Sequence, residues 1–318
     1  MNEVLNNVTE RPKLSLVVPC YNEQDNVALF FDTCQKVFDS SIESVEYIFI
    51  NDGSKDKTWE QLNIIKKKAN RVKLINFSRN FGKEAAMYAG LQKATGEYVT
   101  IIDADLQQHP DVVLKMVRVL EENEDYDCVA AYQENRIESK QLQLCKKIFY
   151  KFINSICEID FKSGASDFRT FRFNMVQSIL EVKEYFRFSK GIFSWVGYNT
   201  YFMPYTAQDR NAGTSKWSFI KLFKYAVEGI VAFTTFPLKM AIYLGIILSI
   251  ISLIYMIVVI LQKLIFGIAV PGYPTLVVLI LLLGGVQMIL LGIIGLYISK
   301  IYIEGKKRPI FITKEYKE

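Results

Sequence analysis

Two stretches without a charged side chain, Met240 to Leu261 and Thr275 to Ser299, constrain this chain more than any other feature. As a helix each is long enough to cross the roughly 30 Å apolar layer of a bilayer, and buried helices of soluble proteins seldom run so long unbroken. They read as two membrane spans. Lys216, Lys221, Lys224 and Lys239 precede the first, Lys300, Lys306, Lys307 and Arg308 follow the second, and the loop between holds only Lys263. By the positive-inside rule both termini, and the charge-rich region before Phe236, lie in the cytoplasm of a multi-pass protein of the cell membrane. The N-terminal residues, with Glu3, Asn6 and Asn7, carry no apolar signal-peptide core, which fits that placement. The expected organisation is a polar domain over 1–236, spans at about 240–261 and 275–299 within 237–301, and a basic tail over 302–318.

At 318 residues the chain has length for a full core besides the spans. Its five cysteines (Cys20, Cys34, Cys128, Cys145, Cys157) are odd in number and form no Cys-x-x-Cys pair, so they read as reduced packing residues. The net charge of +5 is modest and its basic residues gather near the spans. That pattern suits anionic lipid headgroups before nucleic acid.

Within the polar region, Val99 to Gln107 is an apolar run ending in Asp103-Ala104-Asp105. Read as a buried parallel strand, it places Asp103 and Asp105 on one face, because successive side chains alternate. Two hard oxygen ligands then converge just beyond the carboxyl edge of the sheet, where Mg²⁺ or Mn²⁺ carrying a diphosphate is the simplest occupant. The alternative is a polar turn in which Asp105 caps the helix of Pro110 to Leu120. Other segments build the surrounding sheet. Leu14 to Pro19 is a strand running into Cys20-Tyr21-Asn22-Glu23, followed by helical spacing from Asn26 to Phe38. Val45 to Ile50 stops at Asn51-Asp52-Gly53-Ser54, where Asp52 either accepts hydrogen bonds from a ribose or base or serves as an ordinary turn residue. Lys73 to Phe77 leads into Ser78-Arg79-Asn80-Phe81-Gly82-Lys83-Glu84 and a helix from Glu84 to Lys93 that Gly96 ends. Arg79 and Lys83 at the positive end of that helix either favour a phosphate or are merely solvated. Pro110 to Glu122 is helical and Asp127 to Tyr132 is a fifth strand. This alternation predicts an α/β fold, one layered sheet with helices on both faces.

Between Ile137 and Ile159, Leu142, Cys145, Phe149, Phe152, Ile153 and Ile156 form an apolar stripe beside Lys140, Lys146, Lys147 and Lys151. This is either a basic helix on the membrane surface or a helix docked on the core. Trp217 to Val231 poses the same question immediately before the first span. Gly164 to Arg169 and Arg210 to Trp217 read as loops, able to close over an anionic ligand or simply to connect.

Val17 to Glu23, Asn51 to Ser54, Ser78 to Glu84, Asp103 to Gln107, Asp167-Phe168-Arg169, Phe188-Ser189-Lys190-Gly191 and Gly213 to Trp217 together resemble the ordered motifs of the family 2 polyprenyl-phosphate glycosyltransferases. That family includes bactoprenol glucosyl and N-acetylglucosaminyl transferases and enzymes like dolichol-phosphate mannose synthase. The resemblance implies a GT-A type nucleotide-sugar-binding domain followed by two transmembrane helices. It implies inverting transfer of one sugar from a UDP-sugar to undecaprenyl phosphate, with UDP-N-acetylglucosamine the first donor and UDP-glucose the second. Carried over by motif, Pro19, Tyr21, Glu23 and Asp52 hold the nucleoside, and Asp103, Asp105 and Gln107 hold the metal, Mg²⁺ or Mn²⁺. Lys83 stays the phosphate candidate. Arg136 meets the acceptor phosphate, and Asp167, Arg169, Arg210, Ser215 and Lys216 line the reaction centre, with Asp105 or Asp167 orienting the acceptor. Homo-tetramers occur among relatives. Three residues depart from the family pattern: an extra Gln108 before His109-Pro110, Ser166 in place of a glycine, and Leu296 in place of a glutamate. A processive polysaccharide synthase would carry Gln-x-x-Arg-Trp and more spans; a non-catalytic membrane-tethered nucleotide-sugar-binding protein would keep the fold without turnover. His109, the only histidine, reads as a helix-start residue rather than a ligand.

Overall fold

The computed structural model describes residues 11–39, 41–42, 44–133, 154–155, 165–206, 233–266 and 272–318. The sequence readings at Arg136, Arg210, Ser215 and Lys216, nearly all of the 137–159 stripe, and the whole 217–231 stripe lie outside these residues.

The chain runs β1 (Leu14–Cys20), α1 (Val27–Phe38), β2 (Val45–Asn51), α2 (Thr58–Lys68), β3 (Val72–Phe77), α3 (Lys83–Lys93), β4 (Tyr98–Ile101), α4 (Pro110–Glu122) and β5 (Cys128–Gln133). It continues with β6 (Ala165–Arg172), α5 (Phe173–Glu181), α6 (Ser189–Trp195), β7 (Thr200–Tyr205), α7 (Phe236–Phe266), α8 (Tyr273–Gly305) and β8 (Thr313–Lys317). All the strands join one sheet in the order β7-β5-β6-β4-β1-β2-β3-β8. β1 pairs in parallel with both β2 and β4, so the order reverses beside β1. A crevice beyond the carboxyl ends of strands at such a reversal is where open α/β sheets bind ligands.

Both faces of the sheet are covered, which is why its central strands are apolar without a break. Leu14, Leu16 and Val18 of β1 pack with Phe30, Phe31 and Phe38 of α1 and with Val113, Met116 and Leu120 of α4. Val17 faces the other way, into a cluster with Ala86 and Met87 of α3, Met175 and Ile179 of α5, and Phe193 of α6. Cys20, Cys34 and Cys128 are free and buried, as packing residues should be.

The structure corrects the sequence reading at four places. β4 ends at Ile101, so Asp103 and Asp105 stand in the loop beyond the strand and strand alternation does not align them. Helix α3 stops at Lys93, and Gly96 serves a close approach instead: a Cβ there would fall 2.6 Å from Ser15 Oγ. The segment around Asp167 is not a loop. It forms β6, antiparallel to both neighbours and inserted between β4 and β5, with Phe168 and Phe171 buried on its opposite faces. Finally, the basic tail supplies the edge strand β8, antiparallel to β3. Phe311 stacks on Phe77 at 4.8 Å, Lys93 lies over the Tyr316 ring and Lys317 over the Trp59 ring, so contacts on both faces hold a strand with little apolar pattern of its own.

α7 and α8 are each long and apolar enough to cross a membrane, and none of their apolar windows is buried. Leu264, Leu281 and Met288 are more than two-thirds exposed. Neither is the core helix of a soluble fold.

Candidate active site

The carboxyl ends of β1, β2 and β4 and the first turn of α3 meet at the strand-order reversal. After β1 the backbone passes through Asn22 at φ 56°, a left-handed position that asparagine tolerates. Asn22 then laces the first loop to the second: its N–H donates to Ser54 Oγ at 3.0 Å and its Oδ1 accepts from the Lys55 N–H at 2.9 Å. The Glu23 N–H donates to Thr58 Oγ1 at 2.8 Å, and its carboxylate accepts from Asn26 Nδ2 at 2.6 Å. Pro19 is half-buried, whereas the Tyr21 ring is 43% exposed at this rim, a free flat surface.

Asp52 is 3% exposed, and its two carboxylate oxygens accept from the N–H groups of Phe81 at 2.6 Å and Gly82 at 2.9 Å. Burial outweighs those bonds and the nearby Arg79 guanidinium, lifting its pKa above the ordinary carboxylate value. Its first task is therefore to pin the loop that leads into α3. Gly53, at φ +60°, lies against that loop so closely that a Cβ would sit 2.3 Å from the Arg79 carbonyl carbon. Asp52→Ala should cost about 2 kcal/mol by orphaning two backbone donors, with Asp52→Asn, which keeps one acceptor, costing less. Thermal unfolding of the two variants in detergent checks this; equal, unchanged midpoints would show that the loop does not depend on the carboxylate.

The pinned loop delivers Lys83. Its ammonium lies 2.5 Å from Asp103 Oδ1 beyond β4 and 3.7 Å from Asp167 Oδ2 on β6. Burial opposes the charge, but Asp103 and Asp167 prevail and raise the Lys83 pKa above that of an ordinary lysine. The Lys83 side chain keeps 42% exposure, so solvent screens the pairing and little stability follows from it. Asp167 Oδ1 is buried with no hydrogen-bond partner among the described residues, an acceptor left open at this corner.

Asp105 is 8% exposed and accepts from the Gln107 N–H at 3.2 Å across Leu106, which holds φ 60°. A non-glycine residue there stores about 1–3 kcal/mol, the kind of strain that clusters at ligand sites. Gln107, expected as a metal ligand, contributes that backbone N–H. The buried neighbour Gln108, an insertion against the family pattern, grips Asp103 instead: its Oε1 accepts from the Asp103 N–H at 2.9 Å and its Nε2 donates to Asp103 Oδ2 at 3.3 Å. A glutamine shortly after two acidic residues is the sequence signal for this clamp. His109, not Asp105, caps α4 by accepting from the Asp111 N–H. Arg169 is 3% exposed, bonded to the Ser166 carbonyl at 3.2 Å and 5.0 Å from the Phe193 ring, so it sits inside the sheet rather than free at the rim.

Among the described residues no three His, Cys, Asp or Glu side chains gather as a closed metal cage. Mg²⁺ does not need one, because it keeps waters and takes one or two carboxylates together with substrate phosphates. Two hard carboxylates following β4, with the orphaned Asp167 oxygen near Asp103's lysine partner, fit a cation that arrives with a diphosphate.

The sequence pattern of "Glycosyl transferase family 2" matches residues 15–180. "Putative glycosyltransferase CsbB" of Bacillus subtilis is 44% identical over 303 residues, 95% of this chain and 91% of that protein. "Prophage bactoprenol glucosyl transferase homolog" of Escherichia coli is 39% identical over 306 residues, 96% of this chain and all of that protein. A solved structure of glucosyl-3-phosphoglycerate synthase from Mycobacterium tuberculosis superposes with a TM-score of 0.47 at 18% identity, over 69% of this chain and 78% of that one, too loosely to transfer any residue's role. The two sequence relatives align through the apolar helices as well as the sheet. With that agreement along its length, this GT-A-like chain belongs to glycosyl transferase family 2 and is a glycosyltransferase.

Proposed function

We propose that this enzyme moves one sugar from a UDP-sugar to undecaprenyl phosphate at the cytoplasmic face of the membrane, with inversion at the anomeric carbon. The observation that carries the reading is the meeting of Lys83, Asp103 and Asp167 at the sheet's order reversal, a cation and acids poised where a diphosphate would lie. Pro19 and the exposed Tyr21 ring would hold the nucleoside, with Glu23 and Asp52 shaping the loops beneath it. Asp103 and Asp105 would hold Mg²⁺ or Mn²⁺, which when bound supplies charge neutralisation for the departing diphosphate. Lys83, at the positive end of α3, adds a fixed cation to the same oxygens. The acceptor is a phosphate monoester with a second pKa of about 6, already largely dianionic near neutrality, so no strong base is required. Asp167 then has the orienting role, its Oδ1, without a partner among the described residues, turned to the acceptor side. Arg136, Arg210, Ser215 and Lys216 complete the anion-binding set in this reading, on the strength of the motif order.

The polyprenyl acceptor is supported by the name of the Escherichia coli relative and by the two lipid-length helices. Sheet pairing supports the topology: the chain leaves the sheet at β7, passes through α7 and α8, and returns to it as β8. Two crossings return the chain to the side it left. UDP-N-acetylglucosamine is the first donor by the Phe188 to Gly191 and Gly213 to Phe219 motifs, while the relative's glucosyl name supports UDP-glucose. Purified full-length protein in lipid nanodiscs, given undecaprenyl phosphate, Mg²⁺ or Mn²⁺ and each UDP-sugar in turn, should release UDP and yield a sugar-phosphate lipid detectable by mass. Release of UDP without any such lipid product, or binding of the nucleotide sugars with no turnover, would overturn undecaprenyl phosphate as the acceptor.

A further inference from the structure

Phe188-Ser189-Lys190-Gly191 bears on the donor by motif, but none of its side chains has a structural role in the site described above. Helix α6 begins at Ser189, and both the Ser189 N–H, at 2.9 Å, and its hydroxyl donate to one carboxylate oxygen of Glu84. Glu84 directly follows Lys83 in the first turn of α3. On the other side α6 receives the root of the membrane helices. A Cβ on Gly191 would fall 2.3 Å from the Phe233 ring, so only glycine admits that ring where it lies. The Phe188 and Phe233 rings pack at 5.9 Å. The next residue, Thr234, accepts at its carbonyl from the Tyr297 hydroxyl of α8 at 2.8 Å, two residues before α7 starts. One short helix thus touches both the turn that carries Lys83 and the point where the chain enters its apolar helices.

Glu84 is an expensive residue to place there. Burial, with help from the Asp167 carboxylate, lifts its pKa to about 7 against the opposing pull of Ser189 and Arg187. A buried acid is retained where its hydrogen bonds fix a geometry that an apolar side chain would not.

We propose that Glu84 is a positioning residue for the transfer reaction: by gripping Ser189 it locks α6 to the first turn of α3, holding the Lys83 ammonium at Asp103 and Asp167 while Gly191 seats the root of the membrane helices. The proposal rests on the reading of Lys83 and Asp103 as the diphosphate corner. Its structural half is separable from that reading.

Two mild variants test it in full-length protein in nanodiscs. Ser189→Ala removes the hydroxyl donor and leaves the N–H; Glu84→Gln removes the charge and keeps an acceptor. In Ser189→Ala, hydrogen exchange at the Glu84 to Met87 amides should speed at least about tenfold, since the local opening loses a clamp. Turnover should fall about tenfold with the nucleotide-sugar KM within about twofold, the signature of a misplaced group rather than a lost binding contact. The double variant should be no slower than Ser189→Ala by more than about twofold, because the two residues act as one unit. Unchanged exchange in Ser189→Ala would remove the lock itself. Faster exchange with unchanged turnover would leave the lock but overturn its role in catalysis. Faster exchange in a protein whose wild type shows no transfer would instead locate the failure in the diphosphate-corner reading.

Discussion

Asp105→Ala is expected to lower sugar transfer by at least about 10³-fold, the rate equivalent of losing roughly 4 kcal/mol of transition-state stabilisation. The effect should be chemical rather than structural. The Asp105 side chain accepts from the Gln107 N–H at 3.2 Å, and the loss of that bond costs about 0.5–1.5 kcal/mol of stability. Asp105→Asn sharpens the test, because the amide oxygen still accepts from Gln107 while the negative charge is gone. Both variants should lose Mn²⁺ binding in the presence of UDP, followed by the free-ion resonance signal, in parallel with transfer. Full activity in a folded Asp105→Asn would remove Asp105 from the metal site and leave Asp103 to act without it.

What was legible in the sequence follows from which forces are local. β1, β2 and β3 are buried on both faces, so they appear as continuous apolar runs ending in turn residues, and the loops at their carboxyl ends could be placed before any coordinates. β6 could not. Ala-Ser-Asp-Phe-Arg-Thr-Phe-Arg is mostly polar because Asp167 faces Lys83 and Arg169 is satisfied inside the sheet, so composition suggests a loop where tertiary pairing makes a strand. β8 is a charged edge strand that owes its form to the open side of β3 and to Phe311, contacts invisible to any local window. At the site, Asp103, Asp105, Lys83 and Asp167 each stand in a recognisable motif, but their arrangement is not local: Lys83 joins residues 20 and 84 positions further along the chain. For Asp52 the sequence leaves a nucleoside contact and a turn residue open, and its oxygens are engaged by the Phe81-Gly82 backbone, a distinction that only geometry makes. Glu84 and Gln108 went unassigned because each works through a neighbour rather than through a recognisable motif.

Lys83→Ala should move two measurements in opposite directions. In the structure the ammonium holds an Asp103 oxygen at 2.5 Å, and the two acids keep it protonated through the physiological range. A divalent cation approaching Asp103 therefore meets a competing positive charge, and removing that charge should tighten binding of Mn²⁺ alone by about three- to tenfold, a modest effect because solvent screens the pair. Transfer should nevertheless fall about 10²–10³-fold, the cost typical of deleting one preorganised charge that faces developing negative charge. Lys83→Arg, which keeps the charge but not the compact ammonium, should fall between the two. A merely solvated surface lysine would leave both measurements where they were. A parallel loss of metal binding and transfer would mean that Lys83 holds Asp103 in place for the cation instead of competing with it. Only opposed shifts fit a lysine that guards the acid until the diphosphate arrives and then turns to the departing phosphates.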